Sequence, residues 1–346
     1  MKHKARPSKK KIVAGACAVT VSITAPLLVQ QANAADPEVC VSGELTAKSI
    51  DAEAGHVEKD TLVRNAAWEL SGKTGSRTTT IVIRSGSTDD HGFFRACAQG
   101  PMKDAKLRFS AKATNRSQPW QVSPGNGSPY TFETTLGQVT KSEAVTASAS
   151  GDVGTALTMI DTLNLLNRQR AIDAPLTVVW PNSQGPQWGD DDKMYLNRND
   201  GRSKHTLLHE AGHYVMDRLN GLPKNTCPLG HGIHSRTDAT CAWSEGFATA
   251  VASYLLKDPE PVYVFGDPQV RTTNLAPANK TRGQGNDIEA NVAYTLIQIW
   301  RDDSGRQKTL DVIRDNRGAF DSVQAFLRKK QDPNANKRAE ANGIVL

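Results

Sequence analysis

Residues 203–220 read SKHTLLHEAGHYVMDRLN, and residues 242–248 read AWSEGFA. In the first stretch Leu207, Leu208, Ala211, Tyr214, Val215 and Leu219 recur at helical spacing behind Ser203, a residue suited to capping a first turn. Asn220-Gly221 and then Pro223 end the helix. Within it His209 and His213 stand at i and i+4, roughly 400° apart around the axis, so both imidazoles leave one face one turn apart. That spacing suits two Nε2 ligands of one tetrahedral Zn²⁺. Glu210 falls beside the first histidine, where it can reach a water at the ion without being a ligand.

Two histidines do not complete a zinc site, so the third ligand decides. A metzincin would carry Gly at 216 and His at 219, but the chain has Met216 and Leu219. Asp217 lies eight residues beyond His209, about 12 Å along a straight helix, too far to share one ion. The better candidate is Glu245. Trp243, Phe247, Ala250, Val251 and Tyr254 define a second amphipathic helix that runs to about Lys257, and Gly246 permits close approach of another backbone beside the carboxylate. Asp238 is the next candidate.

H-E-A-G-H followed some thirty residues later by W-S-E-G-F-A is similar to the pattern of the gluzincin zinc metallopeptidases. The resemblance covers roughly residues 150–305. It implies that His209, His213 and Glu245 bind one Zn²⁺ per chain, that Glu210 is the general base, and that the activity is hydrolysis of peptide bonds by a zinc-activated water. It also implies a zincin-like fold. Tyr294 occupies the place of a downstream tyrosine that supports the oxyanion in aminopeptidase-like members. No G-x-M-E-N-like anchor for a free amine precedes the zinc helix, which favours an endopeptidase. His231 or His234, between the two helices, could polarise a substrate carbonyl, although loop histidines are usually surface groups.

Upstream the texture is different. Val41, Gly43, Leu45 and Ala47 alternate with polar residues, as do Thr79, Ile81 and Ile83, then Phe93, Arg95 and Cys97, then Leu107, Phe109 and Ala111. Period two broken by turn residues about every ten positions predicts an antiparallel β-sandwich. Thr88 to Phe94 resembles the T-x-x-x-G-x-F hairpin of carboxypeptidase-regulatory-like, transthyretin-type sandwiches, which implies a fold and no chemistry. His91 in that turn reads as a solvated residue. Lys141 to Asp152, rich in Ala, Ser and Thr, reads as a linker. Beyond it Ala156, Met159, Ile160, Leu163 and Leu166 mark a helix, Leu176–Trp180 a strand, and Met194–Leu196 a short strand at the cleft edge. Asp190-Asp191-Asp192 reads as a solvated acidic loop in preference to a Ca²⁺ site, and the tail offers two amphipathic segments, at about 308–315 and 320–330.

The formal charge of +6 comes from the N-terminus, where residues 1–34 hold six basic side chains and no acidic one. From Ala35 onward the chain is neutral, which removes any net-charge reason to expect a nucleic-acid partner. A basic segment to Lys11, an apolar run from Ile12 to Val29 and Ala32-Asn33-Ala34 spell a signal peptide cleaved after Ala34. The mature protein is therefore expected outside the cell, with no stable membrane insertion. Four cysteines remain after Cys17 departs, and spacing favours disulfides Cys40–Cys97 and Cys227–Cys241. The second would close a loop worth about 3 kcal/mol in chain entropy and hold the Glu245 helix beside the first.

These readings combine into an α+β protein: a signal peptide (1–34), an antiparallel β-sandwich (35–140), a linker (141–152) and a mostly helical, zincin-like catalytic domain (153–346). The expected partner is a peptide or protein substrate. The rival reading is a catalytically silent zinc-binding protein, or an extracellular binding protein acting through its sandwich.

Overall fold

The computed structural model describes residues 36–346 except 116–117, 168–171, 173, 221, 224–226, 228–230, 277–284, 303–304 and 317. The expected signal peptide lies outside the described residues.

The long strand β1 (Glu38–Asp51) organises the first sheet. One of its edges carries β5 (Phe93–Gln99) opposite Glu38–Glu44 and then β2 (Val57–Leu62) opposite Thr46–Asp51. Its other edge carries β10 (Glu143–Ala149), which runs parallel. A second, antiparallel sheet has the order β4 (Ile81–Ser87), β3 (Ala67–Thr74), β6 (Met102–Ser110), β9 (Thr131–Val139). Phe94 from the first sheet meets Phe109 from the second edge-on at 5.1 Å, so the two sheets share one core. Cys40 and Cys97 are directly opposed partners on β1 and β5, and the expected disulfide joins them.

Three expectations for this half need correction. In β5 the inward residues are Phe94, Ala96 and Ala98, while Phe93 is 40% exposed, so the strand shows the core the face opposite to the one its sequence suggested. Residues 143–149, expected in a linker, are strand β10. Its buried residues are Ala147 and Ala149, whose small side chains give little hydrophobic signal yet pack closely. The sandwich also does not end the β-structure of its half. Hairpin strands β7 (Lys112–Asn115) and β8 (Gln118–Ser123) belong to a third sheet, ordered β12 (Gln187–Trp188), β13 (Lys193–Tyr195), β11 (Leu176–Val179), β8, β7. There β8 runs parallel to β11, Val122 against Val178. Residues 37–346 accordingly form a single compact unit.

Helix α1 (Gly151–Asn167) bolts the two halves together. Its buried Asp161 accepts from the Arg64 backbone N–H at 3.0 Å and from Arg64 Nη2 at 2.7 Å. Helices α2 (Lys204–Asn220), α3 (Ala239–Leu256) and α4 (Glu289–Arg301) form the centre of the C-terminal half. Ser203 caps α2 as expected, its Oγ accepting from Thr206 N–H at 3.0 Å. Asp238 caps α3, accepting from the N–H groups of Thr240 and Cys241, which occupies the carboxylate that stood second in line as a ligand. A small hairpin, β14 (Val262–Tyr263) and β15 (Thr273–Asn274), follows α3. The tail contains α5 (Gly305–Asp315), α6 (Val323–Lys330) and α7 (Pro333–Ala341), one helix more than expected. Trp243 stacks on Phe326 at 5.2 Å and ties α6 to α3.

His205 is a second bolt. It is 2% exposed, and its Nδ1 lies 3.0 Å from Glu53 Oε1 in the N-terminal half while its Nε2 lies 2.9 Å from Asp258 Oδ2 beyond α3. Burial alone would lower its pKa, but the two carboxylates outweigh burial and raise it. Because the folded value lies above the unfolded value of about 6.5, this stabilisation is complete below that pH and declines as pH rises through the folded value. Chemical denaturation between pH 5 and 9 should show that decline in the parent. His205→Ala should unfold more easily at pH 5, by roughly 1–3 kcal/mol, because two half-buried carboxylates lose their cation. An equal stability of parent and variant across the range would remove His205 as a charged clamp.

Candidate metal centre

The site rests on two glycines. A Cβ on Gly212, between the two motif histidines, would sit 2.6 Å from the Cα of Ala248, so α2 and α3 touch backbone to backbone. A Cβ on Gly246 would sit 2.6 Å from Val292 Cβ and 2.9 Å from the Glu289 carbonyl oxygen, which brings α4 equally close. These contacts carry Glu245 onto the His209–His213 face. His209 Nε2 lies 3.1 Å from Glu245 Oε2, His213 Nε2 lies 3.4 Å from the same oxygen, and the two Nε2 atoms are 3.2 Å apart. A tetrahedral ion with bonds of ~2.05 Å requires ligand separations of ~3.3–3.4 Å. The three expected ligands thus stand at zinc spacing.

The far side of each imidazole determines which nitrogen is free. Thr249 Oγ1 donates to Glu289 Oε1 at 2.7 Å, so its oxygen accepts from His209 Nδ1–H at 2.9 Å. His213 Nδ1 faces Ser244 Oγ at 3.4 Å. With the Nδ1 nitrogens turned to these oxygens, both Nε2 atoms and a Glu245 oxygen converge on one point, the arrangement a metal ion requires of its ligands. The donor set fits Zn²⁺. Thr249 and Glu289 were missed in the sequence. Neither belongs to the two motifs.

Glu210 is 4% exposed, lines the same cleft, and its Oε2 has no hydrogen-bond partner among the described residues. Burial pushes its pKa up to about 8, against the opposing influence of His213. Burial likewise pushes Glu289 up to about 8. For His213 burial works downward, but Glu245 outweighs it and the pKa is raised to about 9.

The cleft encloses about 750 Å³ and is bordered by Trp188, Leu222, His231, Ile233, Tyr263 and Phe265 around the ligands. Its strand edge is β12, not the Met194–Leu196 segment, most of which lies in β13 (Lys193–Tyr195) between β12 and β11, with Met194 and Leu196 buried. Tyr263 is the tyrosine at the centre, its ring edge-on to His209 at 5.7 Å, whereas Tyr294 does not line the cleft. Of the two loop histidines, His231 lines the cleft and His234 turns to Thr273 Oγ1 at 3.1 Å. Disulfide Cys227–Cys241 forms as expected, pinning the connecting loop to the first turn of α3. The acidic loop is tied up in ion pairs, Asp191 with Lys193 and Asp192 with Arg218.

Comparison with protein-family models places the chain among the metallopeptidases. The mycolysin C-terminal domain matches residues 166–345 and the mycolysin middle domain residues 40–154. The first match alone spans more than half of the chain, and the protein belongs to the mycolysin family, whose members are secreted extracellular proteases. No curated protein matches the chain. Among solved structures, the major plantain pollen allergen Pla l 1 is 19% identical over 33% of this chain and 98% of its own, with a TM-score of 0.19. The N-terminal domain of shaft pilin SpaA from Lactobacillus rhamnosus GG is 14% identical over 33% of this chain and 94% of its own, again at 0.19. Likenesses this slight carry no argument.

Two substitutions probe the geometry. Gly212→Ala should force α2 and α3 apart, costing roughly 1–3 kcal/mol in denaturant unfolding and weakening metal retention together. Thr249→Val keeps the shape but removes the partner of His209 Nδ1, and should weaken zinc affinity about 10- to 100-fold with little change in fold. Unchanged affinity in a chelator competition would show that His209 is oriented by other contacts.

Proposed function

We propose that the protein is a secreted zinc peptidase that hydrolyses peptide bonds, with His209, His213 and Glu245 as metal ligands and Glu210 as general base. The observation that carries the reading is the convergence of two Nε2 atoms and Glu245 Oε2 at 3.1–3.4 Å beside a cleft-facing Glu210 whose Oε2 has no partner among the described residues. When bound, Zn²⁺ supplies a Lewis acid and lowers the pKa of a coordinated water toward 7.

The chain's own residues do the rest. Glu210 Oε2 has no hydrogen-bond partner among the described residues, so it is free to take a proton from the attacking water and return it to the leaving amine. Its burial strengthens its basicity, since a carboxylate in a dry cleft holds a proton more tightly than one in water. Thr249 and Glu289 hold the His209 ring in one tautomer. The apolar walls at Trp188, Ile233 and Phe265 exclude water from the scissile bond and receive side chains of an extended peptide. Two disulfides suit an oxidising extracellular destination, and no described helix is long and apolar enough to cross a membrane.

Mature protein should retain about one Zn²⁺, and His213→Ala or Glu245→Ala should lose most of it by elemental analysis. Glu210→Gln should keep zinc and thermal stability while kcat for peptide hydrolysis falls at least a hundredfold, ~2.7 kcal/mol in the barrier. A zinc-loaded Glu210→Gln that cleaves as fast as its parent would refute the assignment. A zinc-loaded parent that cleaves no peptide would return the argument to a binding protein acting through its sandwich.

A further inference from the structure

A second groove lies where the end of α4 meets α5, α6 and α7. It encloses about 690 Å³ and is bordered by Lys308, Lys330, Lys337 and Arg338 against Asp302 and Asp332. From Ala35 onward the chain is neutral, so four cations facing two carboxylates are a local surplus. Asp302 lies about 20 Å along α4 from Glu289, at the opposite end of that helix from the metal centre.

The two carboxylates are already engaged. Asp302 Oδ1 takes Arg338 Nη2 at 2.7 Å on the half-exposed rim. Asp332 caps α7, accepting from the N–H groups of Asn334 and Ala335, and its Oδ2 stands 3.6 Å from Lys330 Nζ, too far for a hydrogen bond. Lys308 and Lys337 are exposed and form no ion pair among the described residues. Lys330 is the buried member of the set, its side chain 4% exposed. The other basic residues in the last turn of α6, Arg328 and Lys329, are exposed and suffice to complement the negative end of the helix dipole. An ammonium carries three donors, and in buried surroundings leaving them unmade is costly. Lys330 Nζ makes no hydrogen bond among the described residues.

We propose that this groove binds a phosphate group, free or carried on a small molecule, with Lys330 as its buried anchor and Lys308 and Lys337 at its rim. A phosphate presents several acceptor oxygens on one centre and carries up to two negative charges, which matches a buried ammonium with unmade bonds and a surplus of two cations. Lysines hold such a group as point charges from several directions. The groove is of the size that small-molecule sites have, so an organic substituent on the phosphate fits as well. The bound group ties α5, α6 and α7 together at the end of α4 and stabilises the tail. None of this depends on the zinc reading of the cleft.

Full-length mature protein is titrated with inorganic phosphate by calorimetry, at an ionic strength fixed with chloride so that general screening stays constant. The parent should bind one phosphate, and its thermal unfolding midpoint should rise with phosphate concentration. Lys330→Met, which keeps the apolar stem, should weaken binding at least about tenfold, the loss expected when a charge-assisted bond in buried surroundings is removed. Lys337→Ala trims an exposed side chain and leaves the fold alone. It should weaken binding about threefold, in keeping with a rim charge, and leave peptide hydrolysis unchanged. Glycerol phosphate in place of phosphate separates the two sources: tighter binding marks a phosphate carried on a small molecule, weaker binding the free ion, and either agrees with the site. A parent that binds no phosphate at millimolar concentration overturns the proposal. So does equal binding by the parent, Lys330→Met and Lys337→Ala, which would place the anion elsewhere.

Discussion

The backbone contact between Gly212 and Ala248 governs the C-terminal half. Helices carrying ordinary side chains at their crossing stand 8–10 Å apart. Here neither residue holds the axes apart, and an added Cβ on Gly212 would reach the Ala248 Cα at 2.6 Å. Gly246 repeats the device one helix further on, against Val292. Three helices pressed together in this way allow a glutamate from α3, with only two side-chain carbons beyond its Cα–Cβ bond, to reach both histidines of α2. They also bring Thr249 and Glu289 behind His209, so the outer hydrogen bonds follow from the same contact as the ligands.

That closeness concentrates charge. Two imidazoles and three carboxyl groups lie in or beside a cleft walled by Trp188, Ile233 and Phe265. Burial raises the pKa of Glu210 and of Glu289, whereas Glu245, which faces both histidines, is held well below the ordinary carboxylate range despite its burial. The same chemical group therefore takes different protonation states within one cleft, according to whether a histidine faces it. Membership of the mycolysin family agrees with a site of this kind, and the disulfide ties Cys227, which lines the cleft, to Cys241 in the first turn of α3.

The motifs were legible because helical periodicity and metal-ligand spacing are both local. His209, Glu210, His213 and Glu245 could be named from short windows, and the ends of α2 and α3 fell where Ser203 and Lys257 implied. Pairings between distant segments left no such trace. Strand β10 is made of residues too small and polar to register as a core strand, and β8 owes its parallel partner to residues far along the chain. Two adjacent phenylalanines and a disulfide cysteine blurred the period of β5, whose buried face is Phe94, Ala96 and Ala98. His205 escaped notice because its value comes from Glu53 and Asp258, which only the folded chain brings to it.

The pairing of β8 with β11 bears on how the protein is made. As the chain emerges from N- to C-terminus, the sandwich strands can find one another early, but β8 is left with an unpaired edge until Leu176–Val179 arrives and lies parallel to it. Parallel pairing between distant segments forms slowly and leaves an edge open to other chains in the meantime. Helix α1, inserted between the two strands in sequence, packs against β1, β7 and β8 on one side and against α2 on the other. The β-rich half therefore cannot finish folding as an independent module and then wait for its catalytic partner. The two halves reach their final form in one cooperative event, and a chain halted between them would carry the β7–β8 hairpin as an exposed, aggregation-prone flap.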